Sequence, residues 1–269
     1  MKTQDLGSTY WTDILAEQSE VAPLDSWRAF MRHVYLRLLD SWIGAAPRSG
    51  GLKTDLFEEA VTDHSLIPHM GTQTVGIDCS LGVVHAARRR LAKRDQQALL
   101  VVCDLRRLPL KSGAMRYVLS GSSLDHFRHV KDIATSITEL NRVLALGGPA
   151  IITFDNPHNP VVWLRNRVPF AWLRRAKLVP YYVGCTPTRR LAYRMLTDAG
   201  FEILDVTAVV HAPRVLFICL IGLFEKLHWK LAIRATSSAL AAFEHLQRLP
   251  TRFVTGYYLA YRLRKRGGG

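Results

Sequence analysis

The sequence predicts an α/β protein built on a largely parallel sheet with helices on both faces. Three observations predict it. Between residues 74 and 155, apolar strand-like runs alternate with helix-like segments. The stretch LNRVLALGGPAIITFD (140–155) joins a helix end, a Gly147-Gly148 stop and a strand. TGYYLAYRLRK (255–265) alternates Tyr257, Leu259, Tyr261 and Leu263 against Tyr258, Ala260, Arg262 and Arg264, the period of a strand.

The elements follow in order. Residues 9–45 read as helical, with Trp27, Phe30, Val34, Leu38 and Trp42 at spacings of three and four, and AAPRSGG (45–51) breaks the pattern. GLKTDLFEEAVTDHS (51–65) opens like a buried strand. TVGID (74–78) is a strand, and SLGVVHAARRRLAK (80–93) a helix with Ser80 as N-cap. ALLVVCD (98–104) and MRYVLSG (115–121) are strands, VKDIATSITELNRVLA (130–145) a helix, and PAIITFD (149–155) a strand. TPTRRLAYRMLTDAG (186–200) is a helix capped by Thr186 or Thr188 and stopped at Gly200, and FEILDVTAVVH (201–211) a strand. Residues 214–249 hold two helices before the final strand.

Charge divides the chain. Residues 1–155 carry 18 basic and 17 acidic side chains, whereas 156–269 carry 18 basic and 5 acidic, a balance of +13. The longest apolar run, VLFICLIGLF (215–224), is about half of the roughly 20 residues that a membrane-spanning helix needs. The first 20 residues have no apolar core of a secretory leader, and Cys79, Cys103, Cys185 and Cys219 lack metal-site spacing, so the cytoplasm is the expected location. No histidine cluster suggests a metal.

The motifs, taken in sequence order, resemble the class I S-adenosylmethionine (SAM)-dependent methyltransferases, in particular the small-molecule group called methyltransferase type 11. VGIDCS (75–80) looks like the second-strand motif. CDLRRLPLKSGAMRYVLSGSSLDHF (103–127) looks like strands three and four with their Asp-x-x-x-Leu-Pro run. LNRVLALGGPAIITF (140–154) is similar to the helix-turn-strand that follows, and TRRLAYRMLTDAGFEILDV (188–206) to the late helix and strand. The resemblance covers roughly residues 50–211. It implies a Rossmann-like seven-stranded sheet in the order 3-2-1-4-5-7-6, with strand 7 antiparallel and a helical insert at about 214–250. Residues 1–50 would be an N-terminal helical cap and 51–269 the methyltransferase domain.

The resemblance also implies roles. Asp78, with Cys79 beside it, would accept from the ribose of SAM, and Asp104, followed by Leu105, from the adenine amino group. Ser120 and Gly121 would line the methionine part. The family writes strand-D-x-G-x-G-x-G at the first turn so that backbone approaches the cofactor. Here Asp55 stands in the acid's place, no glycine follows until Gly71, and Asp55, Glu58 and Glu59 supply carboxylates that face a sulfonium and an ammonium. Methyl transfer needs a positioned nucleophile and a base, for which His126, Asp155 and His158 are the candidates. His64 could close over the cofactor.

The expected activity is methyl transfer from SAM to a small or lipid-linked acceptor at oxygen or nitrogen. The alternative is a non-catalytic SAM-fold binding or scaffold protein with a degenerate glycine loop; an RNA methyltransferase is a weaker third reading. In the basic half, Trp163, Phe170, Trp172 and Tyr181 interleave with Arg165, Arg167, Arg174, Arg175 and Lys177, a pattern that fits an anionic membrane surface. The protein would then sit peripherally at the inner face of the membrane.

Overall fold

The computed structural model describes residues 7–19, 24–44, 48–176 and 178–267. Seven strands form one sheet in the order β3-β2-β1-β4-β5-β7-β6: β1 Gly51–Thr54, β2 Val75–Asp78, β3 Leu99–Val102, β4 Tyr117–Ser120, β5 Pro149–Asp155, β6 Phe201–Val209 and β7 Tyr258–Lys265. The pairs from β3 to β5 are parallel, and β7 runs antiparallel to both β5 and β6. The expected order and the antiparallel last strand are both present.

Eleven α-helices surround it among the described residues: α1 Ser8–Ser19, α2 Asp25–Trp42, α3 Phe57–Val61, α4 Leu81–Ala92, α5 Val130–Val143, α6 Pro160–Arg165, α7 Phe170–Arg175, α8 Arg189–Asp198, α9 Arg214–Lys226, α10 Lys230–Phe243 and α11 Arg252–Thr255. Local chemistry sets their ends. The Ser80 hydroxyl accepts from the Val83 N–H at 3.3 Å, and the Thr188 hydroxyl from the Leu191 N–H at 3.3 Å. Of the two threonines considered as cap, Thr188 holds that position. Gly200, at φ +91°, ends the turn after α8 in the left-handed region. The stretch read as helical over 9–45 holds two helices among the described residues, and α2 begins at Asp25 after Leu24, which is in the left-handed region at φ +48°.

The strand period sorts the core. In β7, Leu259, Tyr261 and Leu263 pack on one face with α5 and α8, while Tyr258 and Ala260 pack on the other. That second face is covered by α2 through Trp27, Val34, Leu38 and Leu39, and by α9 and α10 through Phe217, Ile221 and Leu240. The N-terminal helix α2 and the insert therefore share one hydrophobic core against the sheet. A third cluster joins α3 and α4 to β3 through Ala60, Val83, Val84, Ala87 and Leu100, with Leu56 from the turn after β1.

Candidate functional site

The chain leaves β1 toward one edge of the sheet to build β2 and β3, and returns to the other side for β4. Ligands in open α/β sheets bind where that reversal leaves a crevice, beyond the carboxyl ends of the strands. A cavity of about 520 Å³ lies there. Its walls include Asp55, Asp78 and Asp104 from the strand ends, Gly121 to Ser123 after β4, and Trp11, Trp27 and Tyr35 from α1 and α2.

The turn after β1 is the unusual part. Asp55 has φ +67°, the left-handed conformation that glycine adopts freely and that aspartate tolerates. Asp55 thus adopts the backbone conformation that glycines supply in D-x-G-x-G-x-G. Phe57 opens α3, so a short helix replaces the glycine turn. Its N–H donates to the Asp55 carboxylate at 2.7 Å.

Lys53 and Glu59 form a buried ion pair at 2.9 Å, and the Lys53 ammonium also donates to the Asp55 carbonyl. Burial alone would lower the Lys53 pKa, but Glu59 and Asp55 outweigh it and raise it. Glu59 is further bound by the Ser65 hydroxyl and the Leu66 N–H, and it lies outside the cavity wall. It braces the turn, which corrects its expected place beside a cofactor. Glu58 does reach the cavity, paired with Arg28 at 2.8 Å. The Asp55 carboxyl is pushed up to about 7, by burial first and by Asp78 and Glu59 as like charges, against the pull of Lys53.

Asp78 ends β2 as expected. Its two oxygens accept from the Leu56 N–H at 3.0 Å and the Ser80 N–H at 2.8 Å, so it ties the β1 turn to the start of α4. Burial raises its pKa and these two donors oppose the shift. Cys79 and Leu105 also line the cavity, and burial beside Asp78 pushes the Cys79 thiol up to about 12. Asp104 is gripped by Arg106 through both oxygens, at 2.7 to 3.1 Å. Burial would raise the Asp104 pKa, but the Arg106 side chain and N–H overcome it and hold the carboxyl below its ordinary value.

After β4, Gly121 lines the cavity with the Tyr35 ring against it, where an added Cβ would meet ring atoms at 3.0 Å. Ser120 does not line it: the side chain is fully buried, with its hydroxyl 3.0 Å from that of Thr54 on the neighbouring strand. The Tyr35 hydroxyl is in contact with Thr153 at 3.3 Å and Ser122 at 3.4 Å, which fixes α2 over the end of β4.

The three candidate bases separate. His126 lines the cavity, with Nδ1 3.1 Å from the Tyr182 carbonyl and its ring edge-on to Trp11 and Tyr181. A carbonyl only accepts, so Nδ1 carries the proton and Nε2 keeps its lone pair. Burial lowers its pKa, which keeps the ring neutral. Asp155 is buried in an ion pair with Arg165 at 2.5 Å, and its own N–H donates to Asp125. It lies outside the cavity wall, away from the place expected of a base. His158 lines a separate, smaller pocket with Asn156 and Phe253 and is not among the walls of the main cavity. His64 does line the main cavity. Among the described residues no cluster of His, Cys, Asp and Glu could hold a metal.

Several wall residues carried no sequence signal. Tyr35, Arg28, Arg32, Arg214 and Tyr258 come from α2, the start of α9 and the start of β7. Each reads as an ordinary amphipathic or strand residue until the topology brings it to the strand ends.

Residues 61–152 match the family model described as a methyltransferase domain. That match begins inside α3, just past the substituted turn, and runs through β2 to β5. No curated protein matches the chain. Among solved structures, the [4+2]-cyclase SpnF aligns over 87% of this chain and 81% of its own at 18% identity, TM-score 0.55. Geranyl diphosphate C-methyltransferase from Streptomyces coelicolor A3(2) aligns over 87% and 79% at 16% identity, TM-score 0.55. Haemonchus contortus phosphoethanolamine N-methyltransferase 2 aligns over 88% of this chain but 53% of its own, at 16% identity, TM-score 0.56. The chain has the Rossmann-like fold of the class I SAM-dependent methyltransferases. At these identities the likeness to solved structures is one of fold, a fold that also carries a cyclase.

Proposed function

We propose that the chain is a SAM-dependent methyltransferase acting at oxygen or nitrogen of a small or lipid-linked acceptor. The observation that carries this reading is the convergence of Asp55, Asp78 and Asp104 on one cavity at the point where strand order reverses. Their chemistry fits a cofactor with two ribose hydroxyls, an adenine amino group and two cationic centres. Each Asp78 oxygen accepts one backbone N–H and keeps a lone pair for a ribose hydroxyl. Asp104, with Leu105 beneath, faces the adenine, which shares its oxygens with Arg106. Asp55 and Glu58 face the cationic end, and Gly121, backed by the Tyr35 ring, lies beside the chain that links it to the ribose.

SAM supplies a methyl group on a sulfonium, already activated toward in-line displacement. The protein's part is to position the acceptor, exclude water and take one proton. His126 suits the last task, with a neutral ring and Nε2 as lone-pair nitrogen. Trp11, Trp27 and Tyr35 close the cavity from above.

The substituted turn favours a second reading, in which the fold binds a ligand without turnover. Transfer of a radiolabelled methyl group from SAM into a cell-extract pool of small and lipid-linked acceptors separates the two. Label in product that falls about 100-fold or more in His126→Gln supports catalysis with His126 as base. No label transferred by protein that binds SAM supports the second reading.

Peripheral attachment to an anionic membrane at the cytoplasmic side belongs to the same proposal. It is supported by exposed Trp163 and Trp172, the latter 73% exposed, with Arg167 stacked 3.7 Å from the Trp163 ring centre. Arg165 does not take part, being buried against Asp155, and Lys177 lies outside the described residues. No helix among the described residues is long and apolar enough to cross a membrane.

A further inference from the structure

The half of the cavity away from Asp78 and Asp104 has a different chemistry. Trp27, Met31, Tyr35 and Tyr258 give it an apolar, aromatic wall, and Arg32 and Arg214 bring two guanidinium groups to it. Arg214 opens α9 and is half-buried. Its Nη1 donates to the Tyr258 hydroxyl at 3.0 Å, and its guanidinium carbon lies 4.7 Å from the Tyr257 ring centre.

Among the described residues no carboxylate pairs with Arg214 or Arg32. Asp155, the acid whose charge acts on Arg214, is already bound by Arg165 at 2.5 Å. Burial and then the Asp155 charge push the Asp125 carboxyl well above its ordinary value, and Asp125 accepts the Asp155 N–H at 3.0 Å. Arg32 reaches only the Ser65 carbonyl at 3.2 Å and the His69 ring. A guanidinium withdrawn from water and lacking a carboxylate is costly, and ring contacts offset only part of that. Its forked donors match a carboxylate or a phosphate.

We infer that this half of the cavity is the acceptor subsite, and that it takes an organic anion whose carboxylate or phosphate pairs with Arg214 while its apolar body lies against Trp27, Met31 and Tyr35. The assignment of the anion as acceptor rests on the methyltransferase reading; the anion site itself does not. A free acid or phosphate ester and an anionic lipid headgroup share this chemistry.

Calorimetry on the full chain tests it with benzoate and phenyl phosphate as soluble anions, a lysophosphatidate below its micellar concentration as the lipid, and benzyl alcohol as the neutral control. At least one anion is expected to bind about tenfold or more tightly than benzyl alcohol. The tighter class identifies the source. Arg214→Met should remove that advantage and leave benzyl alcohol unchanged, and Arg214→Lys should restore part of it. Equal binding of anions and alcohol by the wild-type chain, or no binding of any anion, overturns the inference, and neither outcome depends on a variant that folds. Undiminished anion binding by a folded Arg214→Met overturns Arg214's role. S-adenosylhomocysteine titrated separately keeps the two readings apart, since anions that bind a chain unable to bind this nucleoside leave the anion site standing and remove the methyltransferase.

Discussion

At Asp55 a carboxylate sits where backbone geometry favours glycine, with φ +67° and a pKa pushed up to about 7. Between the ordinary carboxylate range and about 7 the folded chain holds this proton and the unfolded chain does not. The folded state therefore binds more protons in that window, and stability falls as pH rises across it. Asp55→Asn keeps the left-handed preference and should flatten the fall, as read by urea unfolding at pH 5 and pH 8. The same proton opposes a cationic ligand. The ratio of SAM to S-adenosylhomocysteine affinity should rise as pH passes through about 7, and stay level in Asp55→Asn. An unchanged ratio in the wild type would mean that Asp55 does not read the sulfonium. The carboxylates of Asp78 and Asp104 were legible because strand-end acids follow recognisable runs. Asp155 and Ser120 misled for one reason: a sequence gives a residue's place on a strand but not what its side chain meets. Arg165, ten residues later, claims Asp155, and Thr54 on the next strand claims Ser120.

At the scale of elements, the periodic segments were legible nearly to their ends, as with the Ser80 cap and the Gly200 stop, because apolar spacing and capping chemistry are local. The lid was not. Helix α1 lies on α4 through a hydroxyl contact between Thr12 and Ser80 at 2.9 Å, and Trp11 packs edge-on to Phe57 and His126. The Tyr10 hydroxyl accepts the Tyr182 N–H at 2.7 Å. These contacts join α1 to the substituted turn, to the candidate base and to the segment before α8, three places far apart in sequence. A ligand in the cavity should therefore slow amide exchange across α1. Hydrogen exchange with and without S-adenosylhomocysteine measures this, with protection of residues 8–19 expected to grow about tenfold or more. Trp11→Ala should abolish most of that gain. Protection confined to the strand ends would show that α1 is not part of the closed site.

At the scale of the whole molecule, the sheet order and the charge division were both legible. The cavity's far wall was not, because α2, α9 and β7 meet only after the chain has closed its sheet. The basic half also carries exposed apolar residues on α9 and α10 and between them, with Leu231 73% and Trp229 55% exposed. Sedimentation with vesicles rich in phosphatidylserine should carry the protein down at low salt, since each basic residue near an anionic surface contributes about 1 kcal/mol. Binding should weaken with salt and in a Trp163/Trp172 double alanine variant, and no sedimentation at low salt would remove the membrane from the account. The central claim is that the strand-end carboxylates bind SAM despite the substituted turn. Titration calorimetry of SAM against the wild-type chain and Asp78→Asn tests it most directly, with circular dichroism to show that both are folded. One saturable site is predicted, weakened about 10- to 100-fold in Asp78→Asn by the loss of one charge-assisted acceptor. A folded wild-type chain that gives no binding heat at any temperature, or an Asp78→Asn variant with undiminished affinity, would contradict it.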